Sequence, residues 1–318
     1  MQADAGAWRL RIGGLVRRPA EFSLQDLLNR ADRRDLAVTI ECSGNSGDSR
    51  IMNGLVSNAV WTGVGLAAIL KECGVEPEAR EVVFLGMDSE QEKKWEAGNV
   101  AYPSPHGRSL FVQDALLPEN LLAFAMNGAP LPAEHGFPLR LILPGWYGVA
   151  NVKWLTRIEV IDRRYEGRHM ARNYQSLRAV KSPEETLWLD TSISRNNLKS
   201  VIARVTRNVT RSRAGGPFEY NISGAAWGGP ARISRVEVQV DTGPWRPATI
   251  GQRSADSAWL LWSFDWKDAT PGRHTLVCRA ANARGEIQPT PAELREKLIG
   301  NREDNSQWPR VLTIEPPA

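Results

Sequence analysis

Cysteine is scarce in this 318-residue sequence: Cys42, Cys73 and Cys278 stand far apart. No CxxC pair occurs, which excludes a zinc ribbon, a thioredoxin-like centre and a CxxCH haem attachment, and an odd number of scattered thiols argues against a disulfide framework. No apolar run reaches the roughly 18 residues that a membrane span needs, and Met1–Gly14 shows no signal-peptide core. Charge of one sign is not concentrated either. Forty basic side chains face 36 acidic ones and are scattered among them, so the basic stripe with interleaved aromatics expected of a nucleic-acid binder is missing. There is no internal repeat and no low-complexity stretch. Gly63-Val64-Gly65 lacks the third glycine and the preceding strand of a dinucleotide fingerprint. Ser46 and Ser49 lie near Asp48 without a local His or a Gly-x-Ser-x-Gly frame, which excludes a serine hydrolase.

What is present is ordinary globular material, 42% hydrophobic and 24% charged, in a chain too long for one core and of a length that predicts two domains. Residues 1–178 alternate helix and strand patterns and read as an α+β domain. Ser23 with Asp26 is a helix N-cap and its acidic third position, Ala37–Glu41 a short strand leading into Cys42, and Gly65–Cys73 a helix stopped by Gly74. Glu81–Gly86 and Leu139–Leu143 read as buried strands and Asn120–Met126 as a helical turn or two. Residues 179–197 are polar and irregular and read as a linker. From 198 to 318 short runs, Val201–Val205, Phe218–Ser223, Ile233–Val240, Trp259–Trp266, Thr275–Ala280 and Val311–Ile314, are separated in several places by Gly/Pro turns, the texture of an immunoglobulin-like β-sandwich. Trp245, Trp259, Trp262 and Trp266 are expected in its core, and Cys73 and Cys278 are expected to be buried structural thiols. His106, His169 and His274 show no metal-ligand spacing and read as surface or satisfied histidines.

Three segments carry chemistry. In Glu41-Cys42-Ser43-Gly44-Asn45-Ser46-Gly47 a cysteine ends a strand and small residues follow, so its sulfur can project at a corner where a bulky ligand comes close. A lone cysteine is otherwise most often a small buried hydrophobe. In Glu134-His135-Gly136-Phe137-Pro138-Leu139-Arg140 and Pro144-Gly145-Trp146-Tyr147-Gly148-Val149-Ala150-Asn151-Val152-Lys153, a His, an Arg and a Lys are threaded through Gly- and Pro-rich turns. Such donors with bare backbone amides suit an anionic group such as phosphate.

Taken together these segments resemble the sulfite oxidase family of molybdenum enzymes. The family's Cys-(Ala/Ser)-Gly-Asn motif, whose Cys binds molybdenum, falls on Cys42-Ser43-Gly44-Asn45. Its His-Gly-(Phe/Tyr)-Pro-x-Arg motif, which holds the phosphate end of the pterin cofactor, falls on His135 and Arg140. Its Val-Lys-Trp-Leu stretch brings in Asn151, Val152 and Lys153 as cofactor contacts, and its Gly-Leu-Asp-Ser turn makes Asp88 a pterin ligand. The resemblance runs from about Trp8 to Pro316 and is weaker over the sandwich.

It implies a molybdopterin-binding domain followed by a dimerisation domain, the Mo-molybdopterin cofactor with Cys42 as metal ligand, and a homodimer. The implied activity is oxo-transfer oxidation of an inorganic sulfur substrate, sulfite or protein-bound sulfane sulfur. No haem or flavin segment is present, so a separate c-type cytochrome is the expected acceptor and the periplasm the expected compartment, with the cytoplasm as alternative. Tyr174, at the family's spacing from Lys153, is expected on the metal's substrate side and Arg172 beside it as an oxyanion attractor. The pattern also departs from sulfite oxidases proper. The arginine pair that follows the Cys motif there is replaced by Ser46 and Gly47, and Cys-Ser-Gly-Asn-Ser resembles sulfane dehydrogenase subunits more. Arg50 is a candidate for the lost charge, and Arg302 for a family arginine near the C terminus. The family's N-terminal Val-Arg-Asn-His segment has no counterpart, so one wall of the pocket is expected to be built differently or to lie on missing sequence. Two other readings stay open: the same cofactor acting on another oxyanion or S-oxide, and a cofactor-free β-sandwich binding protein.

Overall fold

The computed structural model describes residues 3–46, 54–94, 100–208, 218–300 and 302–316. The chain folds as two compact units that interleave in sequence: Met1–Cys42, Ser57–Ser176 and Asp190–Ser194 form the first, Ser43–Val56, Leu177–Leu189 and Arg195–Ala318 the second.

The first unit is built on two sheets. In one, strands run in the order Ala20–Ser23, Arg9–Gly14, Leu155–Ile161, Glu81–Lys94, Val100–Phe111, and the Arg9–Gly14/Leu155–Ile161 pair is parallel. Alternation decides which face is buried: Leu10 and Ile12 point inward while Arg9 and Arg11 point out, the period-two pattern of a half-buried strand. In the other sheet Arg34–Glu41, Val56–Gly65, Leu121–Met126 and Ala129–Pro130 are neighbours, and Arg140–Ile142 pairs with Leu121–Met126. The helix Leu66–Cys73 lays Leu66, Ile69, Leu70 and Cys73 into the core and ends on Gly74 at φ 72°, a left-handed turn that only glycine takes without strain. Each such fully buried aliphatic side chain contributes roughly 1.5–3 kcal/mol. Ser23 and Asp26 form the expected capping box of Leu24–Leu28.

Two expectations about secondary structure are corrected here. Leu121–Met126 is a strand rather than a helical turn. A short continuous apolar run fits either structure, and its insertion between two strands settles the matter. The stretch 179–197, expected to be irregular, contains the end of the strand Gln175–Lys181 and the whole strand Thr186–Ser192, adjacent in one sheet. Its solvent exposure on both faces removes the apolar alternation by which strands are recognised.

The second unit is a two-sheet β-sandwich. One sheet orders Lys199–Arg207, Phe218–Trp227, Leu260–Ala269 and Thr249–Ile250, the other Arg246–Pro247, Ile233–Val240, Gly272–Asn282 and Arg310–Ile314. Ile222, Val236, Val238, Trp262, Trp266, Leu276 and Cys278 fill the space between them. Burial pushes the Cys278 thiol up to about 12, as expected of an inert structural cysteine. Trp245 and Trp259, expected in the core, are only half-buried. Arg279 stacks on Trp245 at 4.1 Å, so that indole covers a cation instead of filling the interior.

Candidate functional site

The site begins with an irregularity in strand pairing. Glu81–Lys94 pairs with Val100–Phe111 through Leu85↔Gly107, then resumes at Ser89↔Pro105, so Gly86, Met87 and Asp88 bulge opposite His106 alone. On its other side the bulge meets the chain after Lys153: Met87 N–H donates to Trp154 O at 2.8 Å and Gly86 pairs with Leu155. A bulge re-aims side chains, and this one places Asp88, His106 and Lys153 around one cavity. Gly86 is required there, because a Cβ would stand 2.3 Å from Asp88 Oδ1 and 2.9 Å from Lys153 O.

The cavity measures ≈ 150 Å³ and is lined by Asp88, His106, Arg140, Gly148, Val149, Asn151, Lys153 and Tyr174. Arg140 lies on a fully buried strand and is itself only 6% exposed. Its guanidinium stacks over the Trp61 ring at 4.7 Å and donates to His135 O at 2.9 Å and Asn151 O at 3.3 Å. Its Nε has no partner, and no carboxylate pairs with it among the described residues. Burial alone pulls Arg140 down to about 10, because a charge taken from water without a counter-ion is disfavoured. Lys153 is lowered by burial and by Arg140, with Asp88 and Glu134 acting against the shift. Asp88 Oδ1 is likewise buried and without a partner among the described residues.

Buried polar groups are otherwise almost always hydrogen-bonded, so two orphaned atoms of opposite character on one small cavity mark a place for a ligand. It needs an anionic part for Arg140 and Lys153 and an N–H donor for Asp88. A pterin bearing a phosphate has both. The residues present fit the group.

Cys42 follows the last residue of the strand Arg34–Glu41 and is an exposed free thiol. The cavity wall reaches that strand end: a Cβ on Gly148 would stand 3.3 Å from both Glu41 O and Ile40 Cγ2. An exposed sulfur at a strand end suits a metal ligand better than a packing role. Among the described residues no group of three or more His, Cys, Asp or Glu side chains could hold a metal ion, so a metal here would depend on this single thiolate and on the cofactor's own sulfurs.

The other anticipated residues are distributed as follows. Tyr174 lines the cavity. Asn151 lines it too, but its amide is engaged in the preceding turn, accepting from Leu143 N at 2.7 Å and donating to Tyr147 O at 3.2 Å. The Val152 side chain packs in the core. His135 is exposed and contributes its carbonyl, which receives Arg140. Arg172 does not line the cavity. Its guanidinium is 2.6 Å from Glu92, a buried carboxylate that also accepts from Tyr102 and Ser104. Although burial pushes the Glu92 carboxyl up, hydrogen bonds from Ser104, Tyr102 and Arg172 hold it below the usual range. Arg302 belongs to the second unit, and Arg50 lies outside the described residues.

His106 was not anticipated and lines the cavity. Its Nε2 is 3.2 Å from Val149 O, and His169 packs against it with ring centroids 4.4 Å apart. Neither histidine carried a spacing signal. The bulge alone brings His106 to the site.

The chain matches two families in tandem: the oxidoreductase molybdopterin binding domain over residues 1–169 and the Mo-co oxidoreductase dimerisation domain over residues 190–314. It is 29% identical over 310 residues to chicken sulfite oxidase, covering 90% of this chain and 64% of that protein. It is 28% identical over 337 residues to nitrate reductase [NADH] 1 of Phaseolus vulgaris, covering 96% of this chain and 37% of that one. Its fold superposes on the crystal structure of the sulfane dehydrogenase SoxCD of Paracoccus pantotrophus with a TM-score of 0.80 and 28% identity, over all of this chain and 80% of that one. The protein therefore belongs to the sulfite oxidase family of molybdopterin oxidoreductases, a family of enzymes. Its cofactor is the molybdenum cofactor, which sets aside the reading as a cofactor-free binding protein. Among the described residues no helix is long and apolar enough to cross a membrane.

Proposed function

We propose that this protein oxidises an inorganic sulfur compound, sulfite or protein-bound sulfane sulfur, by oxo transfer and passes the electrons to a separate c-type cytochrome. The observation that carries the reading is the cavity in which buried Arg140, without a carboxylate partner among the described residues, stands with half-buried Lys153 beside Tyr174 and Asp88. The likeness to a sulfane dehydrogenase and a sulfite oxidase supports the choice of sulfur.

When bound, the cofactor supplies two-electron oxo-transfer chemistry, which the protein itself lacks. Cys42 would hold the metal, thiolate being the soft ligand such a centre calls for. Arg140 and Lys153 would hold the phosphate of the pterin, Arg140 from a buried position where charge is worth more than in water. Asp88 would accept from its amine, a contact that also fixes its orientation. Tyr174 presents a phenol O–H to an oxyanion or water at the same cavity. The dimerisation-domain match supports a homodimer, and a c-type cytochrome acceptor goes with a periplasmic location.

A second reading keeps the site and changes the substrate to another oxyanion. The similarity to plant nitrate reductases favours it. Molybdenum content together with steady-state turnover of sulfite, thiosulfate and nitrate decides between them. About one molybdenum per chain with sulfite or thiosulfate oxidation is expected, whereas nitrate reduction without sulfur oxidation would overturn the sulfur assignment.

A further inference from the structure

We propose that His106, with His169 stacked behind it, is the proton acceptor of this cavity. The proposal rests on the oxo-transfer reading above. Inserting an oxygen atom from water into a substrate, X + H₂O → XO + 2H⁺ + 2e⁻, frees two protons while the electrons leave to the one-electron acceptor. Run in reverse on an oxyanion, the same reaction takes two protons up. Either direction needs a group at the cavity whose proton comes and goes near neutral pH. Arg140 and Lys153 are committed to the phosphate in that reading, and Tyr174 to the oxyanion or water. Asp88 is the acceptor for the amine of the pterin in that reading. His106 is the imidazole among the lining groups, and imidazole is the side chain suited to this exchange.

Geometry defines its state. Val149 O can only accept, so the His106 nitrogen 3.2 Å from it, Nε2, carries the hydrogen and Nδ1 keeps the lone pair. Behind it the His169 ring stands at 4.4 Å from His106 and 6.1 Å from Tyr174. His169 Nδ1 is buried without a partner among the described residues, a polar atom poised for a proton or a water. Arg108, itself buried, donates to the backbone carbonyl of His169 and fixes the position of that ring.

Burial favours a neutral pair. It lowers His106, while the Val149 carbonyl and Asp88 favour its protonation and Arg108 and Lys153 oppose it. His169 is pulled down to about 4 by burial first, then by His106, Arg168 and Arg108, with Glu90 acting the other way. Arg168 is itself paired with Glu90, and its Nε lies 3.8 Å from Glu92. Rings this close do not both hold a proton readily, so one charge taken up at His106 can be shared with its neighbour but not duplicated.

The test uses His106→Gln and His169→Gln, since glutamine can still donate to Val149 O but does not titrate. In the cofactor-free protein, NMR titration of the imidazoles is expected to show both rings neutral at pH 7, with His106→Gln raising the apparent pKa of His169. In the molybdenum-loaded enzyme His106→Gln is expected to lose roughly 10²-fold in turnover of sulfite, or of nitrate in the reductive direction, together with the acidic limb of the pH profile. His169→Gln is expected to shift that limb upward. Rings that titrate independently at ordinary imidazole values overturn the proposal, as does a His106→Gln enzyme with the wild-type rate and profile. Loaded wild-type protein inert toward sulfite, thiosulfate and nitrate would instead sink the proposed function, while the NMR titration still decides the histidine pair.

Discussion

The ammonium of Lys199, a fully buried side chain, donates to the backbone carbonyl of Asn45 at 2.6 Å and lies 4.3 Å from the Trp308 ring centroid. Asn45 stands three residues beyond Cys42, and the carbonyl of Ser43 is held in turn by the N–H of Glu303 at 2.6 Å. The loop that starts at the thiol is thus pinned at two carbonyls. Lys199→Met removes a charge-assisted hydrogen bond worth roughly 1.5–3 kcal/mol but also relieves a buried charge, so its urea midpoint is expected to stay close to wild type. Lys199→Ala leaves a cavity and is expected to cost about 2–4 kcal/mol. Both are expected to speed alkylation of Cys42 in the cofactor-free protein. An unchanged rate in Lys199→Met would show that the contact does not restrain the thiol.

Cys42→Ser is expected to leave a folded protein, with a stability change within about 0.5 kcal/mol because the side chain is exposed. Hard oxygen replaces the soft ligand, so the loaded variant is expected to lose activity and the cysteine thiolate's part of the sulfur-to-metal absorption. Circular dichroism and absorption spectra check the two halves separately.

Arg140→Met separates stability from cofactor binding. Arg140 is buried with no carboxylate among the described residues, so an apolar replacement of similar length gives up two hydrogen bonds to carbonyls but no ion pair. Thermal stability of the cofactor-free protein is expected to change by no more than about 1–2 kcal/mol. Molybdopterin content after purification is expected to fall at least ~10-fold, the scale of a lost charged contact. Normal cofactor content would remove Arg140 from the binding site.

Arg172→Gln is expected to act on stability rather than on substrate. Its charge is already engaged by buried Glu92. Because the guanidinium is half exposed, the loss is expected to be about 1–2 kcal/mol, well below that for a fully buried pair. KM for sulfite is expected to stay within about twofold of wild type. A KM raised at least ~10-fold would return Arg172 to the substrate.

Acid sensitivity follows from His169. A base whose folded pKa, about 4, lies below the ordinary 6.5 binds its proton more tightly when unfolded. Its contribution is fully present above 6.5, is lost as pH falls from 6.5 to about 4, and changes no further below that. His169→Gln is therefore expected to flatten the stability–pH curve across this window in urea titrations, and an unaltered slope would show the ring to be solvated.

Much of the site could be read from residues that the chain keeps in short, ordered motifs. Asp88 after Gly86, Arg140 after the Pro138 turn, and Lys153 after the Gly148–Asn151 turn stand in motifs legible along the chain, although the bulge that aims Asp88 needs its partner strands. Arg172 could not be read, because its partner Glu92 is eighty positions away and the pair forms only when two segments meet. The same holds for His106, which nothing in its own neighbourhood distinguishes from a surface histidine. Leu121–Met126 shows the local version of the limit, a six-residue apolar run that belongs equally to a helix or a strand until its neighbours are known.

Pattern and spacing alone therefore established two domains, the α+β and β-sandwich classes, and a cysteine that ends a strand ahead of two basic, glycine-rich turns. They are properties of covalent order, and short-range sterics and hydrophobic periodicity suffice to express them. Folding in three dimensions supplied the rest: the bulge that sets His106 across from Asp88, the stack of His169 on it, the cation of Arg140 without a counter-charge among the described residues, and the hold of Lys199 on Asn45. Each depends on groups far apart in the chain meeting away from water, where an unpaired charge or an unsatisfied polar atom becomes costly enough to carry a function.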